Sequence, residues 1–212
     1  MANKGTCGFG YYFLNKRLTQ PAPIGFRTSV INVIINKNDT KNKNKILFVQ
    51  QSSGFWGIPK EGLKGDVEVD ALFPAVARAI EEELGLRGTK ASEAKPLFAQ
   101  IALLFNFDRQ VYDKKRSRDE KKKGRPTNGK NYHLAIMSYT GPDVFPIERK
   151  RNAEIINFKW VTKAQGKKIM LQNKNKLKGR GLSIVTFKFN ARLYDRILRT
   201  LTALKSVSKT SI

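Results

Sequence analysis

Cysteine is nearly absent from this chain: Cys7 is the single one in 212 residues, and His133 is the single histidine. One thiol cannot close an intrachain disulfide, which fits an intracellular, cytoplasmic setting. No second thiol or imidazole is present to complete a metal set around His133, which reads as structural or as a stacking surface for substrate. A Cys7–His133 catalytic pair has no supporting signature around either residue. Long apolar runs are missing as well. Without twenty consecutive apolar residues no membrane-spanning helix is expected. The opening MANKGTCGFGYYFL lacks the apolar core of a secretory signal.

Acidic residues are the other shortage. The chain has 41 Lys and Arg against 17 Asp and Glu, a net charge of +24, and seven of the 17 acids fall between Glu61 and Glu83. The remainder is therefore more basic than the total. Such a balance points to polyanionic partners: nucleic acid first, inositol polyphosphates second, acidic membrane surfaces third. The competing explanation is compositional, since runs such as NKNDTKNKNK look like the mark of a Lys- and Asn-rich proteome.

What is there centres on WGIPKEGLKGDVEVDALFPAVARAIEEELGL, residues 56–86. Its second half predicts a helix. Asp70 is placed to cap it, Pro74 sits in the first turn and Gly85 ends it. At 100° per residue, positions 79, 82 and 83 share a face while Glu81 points away. Clustered carboxylates on one helical face suit Mg²⁺ or Mn²⁺ with substrate phosphates. Arg78, four residues before Glu82, can fix its rotamer.

These residues resemble the box of the Nudix hydrolases. Arg78, Ile80, Glu82, Glu83, Gly85 and Leu86 match in register, and Asp70 takes the place of the upstream glutamate with the seven-residue spacing kept. Trp56, Pro59, Lys60 and Gly62 are similar to the family's Trp-x-x-Pro-Lys-Gly lead-in, and the loop from Gly62 to Asp70 is two residues longer than the family's. Ala79 stands where the family has its first helical glutamate, often a metal ligand or catalytic group, and Glu81 faces the wrong way to replace it.

The resemblance implies an α/β fold, a Nudix α/β/α sandwich with a mixed central sheet. FRTSVINVII (26–35) and KILFVQQ (45–51) read as a hairpin, LFAQIALLFNF (97–107) and NYHLAIMSYT (131–140) as an antiparallel pair, and EIINFKWV (154–161) as a further strand. Phe189, Leu193, Ile197, Leu201 and Leu204 make the apolar stripe of a helix over 187–204. Residues 1–25 read as an N-terminal arm, 26–206 as the domain and 207–212 as a tail. Residues 113–130 hold nine basic residues against three acids. They predict a mobile hairpin tip or a disordered insert that is either solvated or a grip on a phosphate backbone. A second basic stretch runs from 167 to 181. The glycines of GRPTNGK do not make a Walker loop.

From the resemblance comes the expected chemistry: water, assisted by metal, splits a diphosphate in a nucleoside diphosphate linked to another group. Glu82 and Glu83 are the expected metal ligands, and Arg78 orients Glu82. With Ala79 in the box the general base must come from a loop or strand end. Glu154 and Glu148 are the candidates, and Glu154 is alternatively a third ligand or an ordinary strand-end residue. Lys60 is placed to meet a phosphate, or is a solvated loop lysine. Lys121, Lys122, Lys123 and Arg125 are the candidate contacts to a longer polyanion. Dinucleoside polyphosphates or an RNA 5′ end are the favoured substrates. A non-catalytic RNA-binding or ribonucleoprotein domain and an inositol pyrophosphate hydrolase are the alternatives.

Overall fold

The computed structural model describes residues 24–62, Leu84, 98–141, 155–172 and 184–210. Strand β1 (Phe26–Asn36) is central, and Val30, Ile31, Val33 and Ile34 in it are fully buried, as a β-branched run covered on both faces should be. It runs parallel to β6 (Gly129–Tyr139) from Phe26↔Gly129 to Asn36↔Tyr139, and β6 pairs antiparallel with β5 (Phe98–Val111). Both parallel and antiparallel pairs occur, so the sheet is mixed, in agreement with the expected α/β architecture.

On its other edge β1 has two partners. It meets β2 (Ile46–Gln51) at Ile35↔Ile46, beside the hairpin loop, and then the two strands part. The chain refills that fork with its own lead-in: β3 (Trp56–Gly57) pairs with β2, and β4 (Lys60–Gly62) pairs with β1. Strand β7 (Ile155–Val161) closes the outer edge of β2.

Paired residues share a face, and successive ones alternate. One face carries Ile31, Val33, Ile46, Phe48, Leu134 and Ile136, and it is covered by α2 (Lys163–Gln172) and α3 (Ile184–Thr210). The α3 stripe is as expected: Phe189, Leu193, Ile197, Leu201 and Leu204 are all buried in that cluster, each stabilising by roughly 1.5–3 kcal/mol. The opposite face holds Val30, Ile34, Leu47, Ala135, Met137 and Tyr139, also buried, with Trp160 stacked on Tyr139 at 5.7 Å. Leu84, one residue before the Gly85 of the box, is buried too.

Three expectations need correction. The insert is not without structure: Lys114–Lys122 form a helix, α1, at the tip of the β5–β6 hairpin. The strand before it runs on to Val111 rather than ending at 107, and the last helix extends from Ile184 to Thr210 rather than from 187 to 204. Helix α1 exists because Asp113 caps it, accepting from Arg116 N at 2.8 Å, and because Lys121 and Lys122 suit the negative end of its dipole. Below it, Gly129 closes the hairpin at φ +155°, where an added Cβ would stand 2.0 Å from Gln110 O. Helix α2, which overlaps the start of the second basic stretch, was not foreseen because its sequence has almost no amphipathic pattern.

Candidate functional site

The fork delivers Lys60. Gln51 N to Phe55 O (2.9 Å) and Gly54 N to Gln51 O (2.7 Å) shape the turn after β2, with Gly54 at φ +85°. Lys159 lies over the Trp56 ring at 3.9 Å. Pro59 cannot donate, but its carbonyl accepts from Asn32 N at 2.9 Å, locking the chain onto β1. Lys60 then pairs with Ile31, so its side chain joins the α3 face.

There Lys60 Nζ donates to Asn190 Oδ1 of α3 at 2.6 Å and lies 5.9–6.0 Å from the centroids of the Tyr132 and Phe189 rings. Those rings stack at 5.5 Å. Lys60 is therefore a half-buried strand residue and not a solvated loop lysine. Burial, with Lys130 nearby adding like-charge repulsion, lowers its pKa from 10.5 to about 7. Among the described residues no carboxylate pairs with it. Arg27 and Lys130 are register partners four residues toward the hairpin tip from the Ile31–Leu134 pair, and the Arg27 guanidinium lies where a side chain at Gly62 would go. Ser29, the register partner of Gly62 and Tyr132, buries its Oγ with no hydrogen-bond partner among the described residues. The result is a cation-rich patch on the sheet, walled by two aromatic rings, with one hydroxyl uncommitted. Chemically it suits an anion.

On the opposite face His133 is buried in β6, and burial lowers its pKa to about 4, so it is neutral at physiological pH. Asn32, two residues along β1 from the register partner of His133, buries its side-chain amide without a partner among the described residues. Lys121, Lys122, Lys123 and Arg125 stand exposed at the far end of the hairpin, with Arg125 reaching Glu120 at 3.9 Å. They are not beside Lys60. Its β1 partner Ile31 pairs with Leu134, five residues along β6 from Gly129, about 17 Å at the rise of a strand.

Asp70, Arg78, Ala79, Glu82, Glu83, Glu148 and Glu154 lie outside the described residues. Among the described residues, no group of three or more His, Cys, Asp or Glu is placed to hold a metal, and no helix is long and apolar enough to cross a membrane. Sequence reasoning missed Asn190, Ser29, Arg27 and Lys130. Asn190 is 130 residues from Lys60, and no local pattern announces such a contact.

No protein-family model matches the chain, and no curated protein does. Solved structures similar to it include several Nudix hydrolases. They include a C. elegans Ap4A hydrolase binary complex (15% identity, 84% of this chain and 98% of that one, TM-score 0.47) and a Nudix hydrolase from M. smegmatis (14%, 84% and 86%, 0.44). A MutT protein from Methanosarcina mazei Go1 is also similar (16%, 81% and 94%, 0.41). At these identities the likeness is one of form, and no activity passes from those proteins to this chain by itself.

Proposed function

We propose that the chain is a Nudix pyrophosphohydrolase that cleaves a diphosphate in a nucleoside diphosphate linked to another moiety, with dinucleoside polyphosphates or an RNA 5′ end as favoured substrates. The observation that carries this reading is Lys60. The lead-in motif, met in the sequence beside the box residues, brings an ammonium into a half-covered patch where a phosphate supplies the anion that the described residues withhold. Burying an unpaired charge is costly, and a bound phosphate offsets that cost.

In this reading Glu82 and Glu83 hold Mg²⁺ or Mn²⁺; two carboxylates on one helical face are the oxygen donors such hard cations prefer. The metal, when bound, neutralises phosphate charge and lowers the pKa of water. Arg78 orients Glu82. Glu154 accepts the proton of the attacking water, in place of the carboxylate absent at Ala79. Lys60 holds a phosphate against the sheet.

A second reading, a non-catalytic Nudix-type domain that binds RNA, is favoured by Ala79 and by the charge excess. A substrate panel with Mg²⁺ and with Mn²⁺, including dinucleoside polyphosphates, triphosphorylated and capped RNA and an inositol pyrophosphate, separates the two. Hydrolysis of one nucleotide class, with products identified by mass, is expected. Binding of RNA without turnover of any substrate would give the second reading the preference.

A further inference from the structure

Successive residues of a regular strand face opposite ways, yet Phe107 and Asp108 of β5 both face α3. Phe107 belongs to the core cluster beneath that helix, with Arg196 over its ring at 4.7 Å. Asp108 takes Arg192 at 3.0 Å and Arg196 at 3.7 Å. A bulge makes this possible: from Leu104↔Leu134 to Asp108↔Tyr132, four steps along β5 answer two along β6. The side chain of Asp108 is only 8% exposed. Its Oδ1 also accepts from Arg109 N at 2.7 Å, and its Oδ2 has no hydrogen-bond partner among the described residues. The two guanidiniums, one helical turn apart, are what compensates its charge.

Arg192 leads on to the Lys60 patch. Its guanidinium also lies over the Phe189 ring at 5.3 Å, Phe189 stacks on Tyr132, and the next residue, Asn190, accepts from Lys60. We propose that Asp108 is a positioning residue of the Lys60 site: through Arg192 it holds the Phe189–Asn190 stretch of α3 down on the lysine. Without the carboxylate that stretch lifts, water reaches Lys60, and the ammonium loses its fixed direction. The charged and titratable groups gathered on this face are Arg27 of β1, Lys130 and Tyr132 of β6, Asp108 of β5, and Arg192 and Arg196 of α3. Deleting the Asp108 charge acts on Lys60 in two opposed ways. Loss of a nearby negative charge disfavours the ammonium, whereas the water admitted by a lifted helix favours it. The inference deepens the reading of Lys60 as a phosphate contact, but its test uses no phosphate, so either can fail without the other.

The test is urea unfolding of the full chain, without ligand, from about pH 7.5 to about 9.5. In the parent Lys60 takes up a proton on unfolding, so the unfolding constant should fall about tenfold per pH unit. Asp108→Asn keeps the shape and removes the charge; it should flatten the fall to less than about threefold per unit. Arg192→Gln should flatten it too, and combining the two should change the slope no further. Asp195→Asn alters net charge equally at an exposed acid of α3 that faces Lys167, and it should keep the parent slope. A merely structural role for Asp108 would lower stability by the same factor at every pH. Should Asp108→Asn not fold, Arg192→Gln, at a side chain 61% exposed, carries the comparison alone. A tenfold fall retained in both Asp108→Asn and Arg192→Gln would overturn the proposal. So would a slope already absent from the parent, or equal flattening in Asp195→Asn.

Discussion

Lys60 and the lysines of α1 are the same residue type under opposite conditions. Lys60 is pressed between a sheet and α3, close to two aromatic rings, with its charge disfavoured by burial. The α1 lysines stand in water, and the packing of the protein asks nothing of them. The difference teaches that a basic composition is not one property. A half-buried lysine that no described carboxylate pairs is a small, specific demand for an anion; a sided array of exposed cations is an extended attraction for a long polyanion.

The comparison breaks most visibly in the pH dependence of stability. The pKa of Lys60 is depressed in the fold, so between about 7 and 10.5 the unfolded chain binds more protons, and Lys60 makes the protein more stable as pH rises through that window. The full swing is at most about 5 kcal/mol. Tyr112 and Tyr194, both raised by burial, act in the other direction above pH 10, so urea melts from pH 7 to 9.5 are the clean range. There the parent should gain stability, and Lys60→Met should flatten the curve. An unchanged slope would mean that Lys60 is not the group responsible.

Next in size is the support for the patch. Ile197→Ala on α3 removes a fully buried side chain and should cost about 2–5 kcal/mol in denaturant unfolding. A cost below 1 kcal/mol would show that α3 is loosely docked. His133 sharpens the contrast from the acid side. With its pKa lowered to about 4, the unfolded chain binds more protons between pH 6.5 and 4, so stability should fall by up to about 3 kcal/mol across that interval. His133→Gln should remove this loss, and persistence of the loss in the variant would assign it to another group. Smallest of all, Arg118→Gln on α1 should shift stability by no more than about 0.5 kcal/mol. A larger loss would mean that the helix packs on something.

Strands β1, β2, β5, β6 and β7 were legible because apolar, β-branched runs such as Val30–Ile35 are local signals, and α3 because the apolar spacing from Phe189 to Leu204 has a helical period; β3 and β4, inside the lead-in read as a loop, were not. The α1 helix was not, since a helix without an apolar face leaves no periodic trace, and its capping residue Asp113 looks like any loop acid. The lead-in motif marked Lys60, but its surroundings are assembled by contacts across 130 residues. Only folding brings Asn190 to it. The strand fork explains why the motif takes that shape: the parting of β1 and β2 leaves edge groups that Trp56–Gly62 satisfies.

The proposed metal-dependent pyrophosphohydrolase activity is tested most directly at Glu83. The decisive measurement is kcat for the substrate found in the panel, at saturating Mg²⁺ or Mn²⁺, for the parent and for Glu83→Gln. A fall of about a hundredfold or more with an unchanged urea midpoint is the expected result, because the lost carboxylate would stand where transition-state charge is neutralised. Turnover equal to the parent's would contradict the assignment of the site.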